Sequence, residues 1–448
     1  MSETTIGLIL LITTLVVLFS GVPIAWGLTI VAVLSLLIFD GPQSLDPVAL
    51  LMLDELASFA LLTIPLFILL GASIGASAAG RDIYDCFYRL LYRVPGGLVI
   101  ANIFACGMFS AICGSSPATA AAIGKVGVPE MRARGVSAEL ATGSVCAGGT
   151  LGILIPPSVT MILYGIATET SIGRLFLAGV IPGLLLVFLF AAYAWLATMW
   201  ESRQTRTSTV AQAAAPAPSV SFTTREKFEG LVRAGPFLLI LAAVAYFMYG
   251  GLATPSEVAA IAAVLGLVVV FAIYRAWHPK ELWHIYGDTV RESTMILMII
   301  AAAALYSYML SRLYVTQTAA EALVSFDLNR WVLMAAINVF LLIAGCFLPP
   351  VAIILMCMPI LMPVLEANNF DLIWFAVIMT INLEIGLITP PVGLNLFVLR
   401  GVAPDVPIGT ILRGSIPFVL IMMMFMVVLS IFPELALWLP DTVMGKGR

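Results

Sequence analysis

The sequence predicts an all-α polytopic membrane protein built from two inverted repeats, each carrying a re-entrant helical hairpin and a broken helix. Three observations carry that expectation. The apolar content is too high for a water-soluble fold. Four of the apolar regions are interrupted in their middles by glycine- and proline-bearing clusters. Those interruptions recur in one fixed frame, 234 residues apart.

Of 448 residues, 61% are hydrophobic and 10% charged, and the mean hydropathy is +1.09. A soluble domain carries about 25% charged residues, so the bilayer must act as solvent for most of this chain. That excludes a cytosolic enzyme, a nucleic-acid binder and a secreted module. A net charge of −4 is too mild to ask for an anionic polymer as partner. The six cysteines, Cys86, Cys106, Cys113, Cys146, Cys346 and Cys357, sit in apolar stretches without a CxxC pair. They read as small buried hydrophobes, neither a disulfide frame nor a transition-metal cage. The N-terminus lacks the basic region and small-residue cleavage site of a removed signal peptide, so the first apolar run is expected to stay as a membrane helix.

A crossing needs about 20 apolar residues. Runs that serve lie near 5–20, 22–39, 56–79, 137–167, 172–200, 230–250, 255–275, 291–312, 371–401 and 406–434. Two further regions, 97–131 and 331–365, are divided by Cys113-Gly114-Ser115-Ser116-Pro117 and by Gly345-Cys346-Phe347-Leu348-Pro349-Pro350. Each half is too short to cross, so each region is expected to enter the membrane and turn back. The spans 137–167 and 371–401 are themselves broken, at Gly152-Ile153-Leu154-Ile155-Pro156-Pro157 and at Gly386-Leu387-Ile388-Thr389-Pro390-Pro391. Proline removes a helical N–H and clashes with the preceding turn. At membrane depth such breaks survive only where protein or a watery cavity satisfies the freed backbone groups.

A shift of 234 lays Pro129 on Pro363, Gly152 on Gly386, Pro156 on Pro390 and Pro157 on Pro391. The chain therefore divides into a first repeat over 1–200, a Ser/Thr/Ala/Pro-rich linker over 201–227 and a second repeat over 228–448. Five full crossings per repeat, an odd number, turn the second repeat upside down relative to the first. With the N-terminus outside, fifteen basic residues fall on the linker side. Five (Arg174, Arg312, Arg330, Lys446 and Arg448) fall on the other, and Lys125 completes the 21 from within a hairpin. The excess of basic residues selects a cytoplasmic linker and external termini.

Inverted repeats with discontinuous helices meeting at mid-membrane are the recurring plan of secondary transporters. Half-helix N-termini offer N–H groups to anions, and unwound carbonyls offer oxygens to Na⁺. Ser115, Ser116 and Thr119 add hydroxyls at the first tip, and Thr389 and Asn395 flank the second break. No carboxylate lies at that first tip, and a cage of neutral oxygens suits a hard monovalent cation.

On these residues the chain resembles the large membrane subunit of a TRAP (tripartite ATP-independent periplasmic) transporter, the DctM family. The matching segments are Gly21-Val22-Pro23-Ile24-Ala25, Pro65-Leu66-Phe67, Ser110 to Thr119, Gly152 to Ser158, Leu175 to Gly179 and Thr389 to Asn395. The resemblance implies Na⁺-coupled uptake of a small organic anion by an elevator motion, with no other cofactor, in a bacterial inner membrane. It implies two partners, a small membrane (Q) subunit of four helices and a periplasmic substrate-binding (P) protein. Two positions depart from the family pattern: Lys125, and Leu348-Pro349-Pro350 at the second tip.

The repeat frame suggests two Na⁺ sites. One uses Ser115, Ser116, Thr119, Gly149 and Gly152; the other uses Gly345, Leu348, Gly386 and Thr389. Substrate is expected near Ser116, Pro117, Thr150, Pro156, Pro390 and Asn395. Glu384, an acid inside an apolar span, is the coupling candidate, with Asn382 supporting the same break. Lys125, about two and a half turns past Ser116, is expected to snorkel to the cytoplasmic surface. Arg400 reads as an interfacial anchor, and His278 and His284 as surface residues. An intramembrane enzyme would want a buried His, a paired Asp or a His-Glu-x-x-His run, and a channel would want a ring of charges; none is visible. The alternative is a stand-alone anion carrier or exchanger of the same inverted-hairpin plan.

Overall fold

In the computed structural model, residues 3–207, 222–275, 277–318 and 329–445 are described. Every regular element among them is helical. The first half runs α1 (Glu3–Phe19), α2 (Ile24–Phe39), α3 (Val48–Leu56), α4 (Thr63–Gly75) and α5 (Ala79–Leu91). It continues with α6 (Gly97–Cys113), α7 (Ser116–Ala133), α8 (Ala138–Gly148), α9 (Val159–Ala167) and α10 (Ile172–Thr207). The second half runs α11 (Thr224–Tyr249), α12 (Pro255–Ala272), α13 (Pro279–Arg312), α14 (Arg330–Gly345) and α15 (Pro350–Ala367). It ends with α16 (Leu372–Leu387), α17 (Leu394–Val402), α18 (Ile408–Ile431) and α19 (Glu434–Met444). Six of these helices are long and apolar enough to cross a bilayer, or seven when the bent pair 42–56 and 59–75 counts as one span; α15 is one of the six, so this half of the second divided region is longer than the sequence reading allowed. The chain is a multi-pass membrane protein.

Local chemistry places the ends. Thr223 and Thr254 open α11 and α12 with capping boxes, their hydroxyls accepting from the N–H groups of Glu226 and Glu257, whose carboxylates accept from the two Thr N–H groups at 2.7 Å. Ser158 caps α9 by accepting from the Met161 N–H at 3.2 Å. The turn between α6 and α7 needs a left-handed residue, and Gly114 supplies it at φ +66°.

The breaks fall where the prolines and glycines stand. α6 and α7 form one hairpin with its tip at Gly114-Ser115, and α14 and α15 a second with its tip at 346–349. α8 stops at Gly148, a short 3₁₀ turn covers Leu151–Ile153, and α9 resumes after Ser158. α16 stops at Leu387 and α17 begins at Leu394. The peptide bonds Pro156-Pro157 and Pro390-Pro391 are both cis.

Packing sorts the helices into two bodies. α4 lies along α12, and α13 lies along α2, α3 and α4, with α1 on α2 and α11 on α12: a frame. α6 to α10 interlock with α14 to α19 through α8 on α18, α7 on α17, α9 on α15 and α10 on α16 and α19: a block made from both halves. α5 bridges the bodies, touching α6 and α7 on one side and α11 on the other. At the α8–α18 crossing the backbones nearly touch: a Cβ on Gly143 would lie 2.2 Å from the Gly414 carbonyl. Small residues at membrane helix crossings permit such approaches.

The two halves differ in one place. The polar stretch 42–55 forms α3, which bends by 54° into the α4 segment. In the second half the polar segment from Pro279 to Thr289 runs unbroken into the apolar part of α13, a helix of 34 residues. The apolar run at 291–312 therefore marks only the upper part of that helix.

Candidate transport site at the seam of block and frame

A cavity of about 710 Å³ lies between the two bodies. The frame contributes Ile68, Gly71, Ala72, Gly75 and Ala76 from α4 and Asp288, Arg291, Glu292, Met295 and Ile296 from α13. The block contributes the first hairpin tip (Cys113, Gly114, Ser115, Ser116, Pro117), Ala118, Ala121, Ala122 and Lys125 from α7, and Ile153, Val159 and Thr160 from the first broken span. Pro349, Pro350 and Val351 of the second tip and Leu387 and Leu394 beside the second break complete the wall. The first tip abuts the frame: a Cβ on Gly71 would sit 2.4 Å from the Cys113 carbonyl oxygen. Glycine at 71 is what allows this approach.

The first tip is also tied to the other half of the chain. The Ser116 hydroxyl donates to Glu384 Oε2 at 2.5 Å, with Ser116 fully buried and Glu384 1% exposed. Removal of a carboxyl from water is costly unless it is hydrogen-bonded or paired, and this contact satisfies one of its two oxygens. The other, Oε1, is buried with no hydrogen-bond partner among the described residues. An acid read from the sequence as a lone group in an apolar span thus meets the first tip directly.

The expected ion-site residues are brought together in pairs. A Cβ on Gly149 would lie 2.9 Å from the Ser116 carbonyl oxygen, and one on Gly152 would lie 2.2 Å from the Ser110 side chain. The Ser110 hydroxyl donates to the Gly149 carbonyl at 3.0 Å. In the second half a Cβ on Gly386 would lie 2.4 Å from the Gly345 carbonyl carbon, and the Val392 N–H donates to the Cys346 carbonyl at 3.3 Å. Thr119 donates to the carbonyl of Ser115, which caps α7, and Thr389, just past α16, donates back to the Ile385 carbonyl. Leu348 lies in the second tip, half-buried.

The expected substrate residues separate. Ser116 and Pro117 line the cavity. Thr150 is buried and donates to the Ala147 carbonyl at 2.7 Å. Asn395 is buried and donates to the Cys146 carbonyl at 3.3 Å, joining the second break to the first broken span. Pro156 is half-buried and Pro390 exposed, and neither is among the residues that form the wall. Asn382 donates to both the carbonyl and the side-chain oxygen of Asn338, at 2.9 Å each, and so braces α16 against the second hairpin.

Sequence reasoning missed the frame's charged wall. Arg291 is one of the fifteen basic residues on the linker side, and the sequence alone gives it, Asp288 and Glu292 no further role. Their spacing of three and four residues puts them on one helix face, a signal usable only once 279–312 is known to be a single helix. Lys125, expected to leave for the surface, lines the same cavity.

A family model for the tripartite ATP-independent periplasmic transporter, DctM component, matches residues 11–435. The chain belongs to the DctM family of TRAP transporters. It is 36% identical over 408 residues to the C4-dicarboxylate TRAP transporter large permease protein DctM of Pseudomonas aeruginosa, covering 91% of this chain and 92% of that protein. It is 30% identical over 431 residues to the sialic acid TRAP transporter large permease protein SiaM of Vibrio cholerae, covering 96% and 97%. Among solved structures the YdaH transporter of Alcanivorax borkumensis matches with a TM-score of 0.67 at 18% identity, over 95% of this chain and 98% of that one. That likeness concerns the fold. As a DctM-family large permease the chain is a transporter subunit and not an enzyme.

Proposed function

We propose that this chain is the site-bearing subunit of a three-part, Na⁺-coupled secondary transporter that takes up a small organic anion across a bacterial inner membrane. A periplasmic binding protein delivers the carboxylate-bearing substrate, and a small membrane subunit packs on the frame. The block carries the site past the frame as an elevator. One observation carries this reading: the cavity lies on the seam between two bodies, with the first hairpin tip tied by Ser116 to Glu384 on one side of it and α4 and α13 on the other. The names of the relatives support the anion, since C4-dicarboxylates and sialic acid both carry carboxylates.

The recurrence of close contacts supports two repeats over 1–200 and 228–448. Gly152 presses on the 110–111 backbone and Gly386 on Gly345, and positions 111 and 345 stand in the same 234-residue frame. The unpartnered Glu384 Oε1 beside the first tip supports a cation there, with Gly149 and Gly152 adjoining. The second cation site falls near Gly345, Leu348, Gly386 and Thr389. Trp26, Ile30, Leu34 and Ile38 are exposed at four-residue intervals along α2, which gives the frame an apolar face for lipid or for the small subunit.

The test is reconstitution. Proteoliposomes holding this chain, the small subunit and the binding protein are expected to accumulate the binding protein's ligand only under an inward Na⁺ gradient. Omission of either partner is expected to abolish uptake. Full uptake by the lone chain would favour the stand-alone carrier, and uptake indifferent to Na⁺ would remove the coupling claim.

A further inference from the structure

The cavity wall holds four charged side chains, and they are unevenly divided. The block contributes one, Lys125 on α7; the frame contributes Asp288, Arg291 and Glu292 on α13. All four are exposed to the cavity or its mouth, and among the described residues none of them forms an ion pair or a side-chain hydrogen bond. Six other basic residues do form ion pairs, among them Arg132 with Asp405 at 2.6 Å and Arg174 with Asp441 at 2.5 Å. Two cations thus face one cavity from opposite bodies without an ion-pair partner, a placement open to an anionic group. The rest of the wall is small or apolar: Gly75, Ala118, Ala121, Ala122, Met295 and Ile296.

We propose that Lys125 and Arg291 together receive a single carboxylate of the substrate, and that Asp288 and Glu292 exclude a second one. The chain's substrates are then small monocarboxylates whose remaining groups are neutral and polar. This rests on the organic-anion reading above and narrows it. Asp288 and Glu292 stand three residues before and one after Arg291 on α13, so a carboxylate held at Arg291 leaves any second carboxylate facing like charges. The four side chains bring the wall's net charge to zero, and one carboxylate leaves it at −1 where a dianion leaves it at −2. Lys125 lies nine residues beyond Ser116, about 13 Å of helix rise. Helical side chains lean toward the N-terminus of their helix, so the ammonium leans toward the tip. The space between them accommodates a chain of several carbons, with Ser115 and Ser116 at the far end for hydroxyl or carbonyl groups. Because Lys125 travels with the block and Arg291 stays with the frame, the pair acts together only while this cavity is open.

The matched probes are gluconate, glucarate and sorbitol, which share a six-carbon polyhydroxy skeleton and differ in having one, two or no carboxylates. Binding of each to the full chain in nanodiscs with Na⁺ is read by calorimetry and by thermal stabilisation. Gluconate is expected to bind at least threefold more tightly than glucarate, with no binding of sorbitol. Lys125→Gln and Arg291→Gln are each expected to weaken gluconate at least tenfold while leaving the unliganded melting temperature unchanged. Lys125→Arg is expected to retain binding. The double variant Asp288→Asn with Glu292→Gln is expected to bring glucarate level with gluconate. Gluconate binding that survives both single substitutions overturns the proposal, as does a wild-type preference for glucarate or equal indifference to all three probes. The complete transporter separates this from the broader reading. Carboxylate uptake with the same KM in wild type and Lys125→Gln sinks the proposal alone, and no carboxylate uptake by wild type sinks the organic-anion reading beneath it.

Discussion

Ser116 and Glu384 stand 268 residues apart in the chain and 2.5 Å apart in space. At that length the hydroxyl and the carboxyl oxygen form a short hydrogen bond. Loss of the hydroxyl would strand both oxygens of a buried acid, at a cost of about 1–3 kcal/mol or more. The Ser158 hydroxyl only caps α9, an interaction worth roughly 1 kcal/mol. Ser116→Ala is therefore expected to shift the Na⁺ concentration for half-maximal uptake severalfold, and Ser158→Ala to leave it near wild type; equal shifts would argue against the cation lying at Glu384. Glu384→Gln is expected to insert and assemble normally while its uptake no longer follows Na⁺ as in wild type. Unaltered Na⁺ titrations would make Glu384 a packing residue. The acid itself was legible in the sequence, because a carboxylate within an apolar run stands out. Its partner was not, since a contact across 268 residues leaves no periodic trace. For the same reason Asn382 was read with the break it neighbours, and its bonds to Asn338 were missed.

The breaks were the most legible elements. Gly114, Gly152, Gly386 and the paired prolines mark them by residue type alone, and the helices end within a few residues of each. Their role in packing becomes visible only in three dimensions. With a Cβ at 386 placed 2.4 Å from the Gly345 carbonyl carbon, α16 must move away from the second hairpin. Gly386→Ala is expected to destabilise the block by about 1–3 kcal/mol, seen as a lower melting temperature in detergent and reduced uptake. Gly409→Ala, where nothing lies within 4 Å of the added atom, is the control and is expected to melt as wild type. Equal melting of the two would mean that the 345–386 contact yields easily. The element that sequence reading misjudged is α13. Its polar first part, Pro279 to Val290, and its apolar remainder look like loop and span to a hydropathy window. The rise from one to the other carries no proline, and the single Gly287 is accommodated, so the helix continues and its charged face lines the cavity.

Contacts near the helix ends support the two-body reading of the whole molecule. On the linker side Ser137 bonds Glu201 at 2.6 Å and Arg132 pairs with Asp405 at 2.6 Å, both within the block. On the opposite side Arg174 pairs with Asp441 within the block and Arg312 with Asp40 within the frame. These ion pairs tie each body to itself. Fold class and the order of spans, hairpins and breaks were readable from apolar runs and proline placement. The assignment of helices to block or frame was only partly readable, because it depends on which faces meet. An elevator requires the block to move as a unit against the frame. All six native cysteines are buried, so spin labels can be directed to introduced ones: Lys280→Cys on the frame with Gly409→Cys on the block, and Gly401→Cys with Gly409→Cys inside the block. Distances measured in nanodiscs, with and without Na⁺ and the two partners, test the claim most directly. Elevator motion gives at least two frame-to-block distances whose populations shift with Na⁺ and partners, while the distance within the block stays constant. A single, unshifted frame-to-block distance under every condition, or an equal change inside the block, would contradict it.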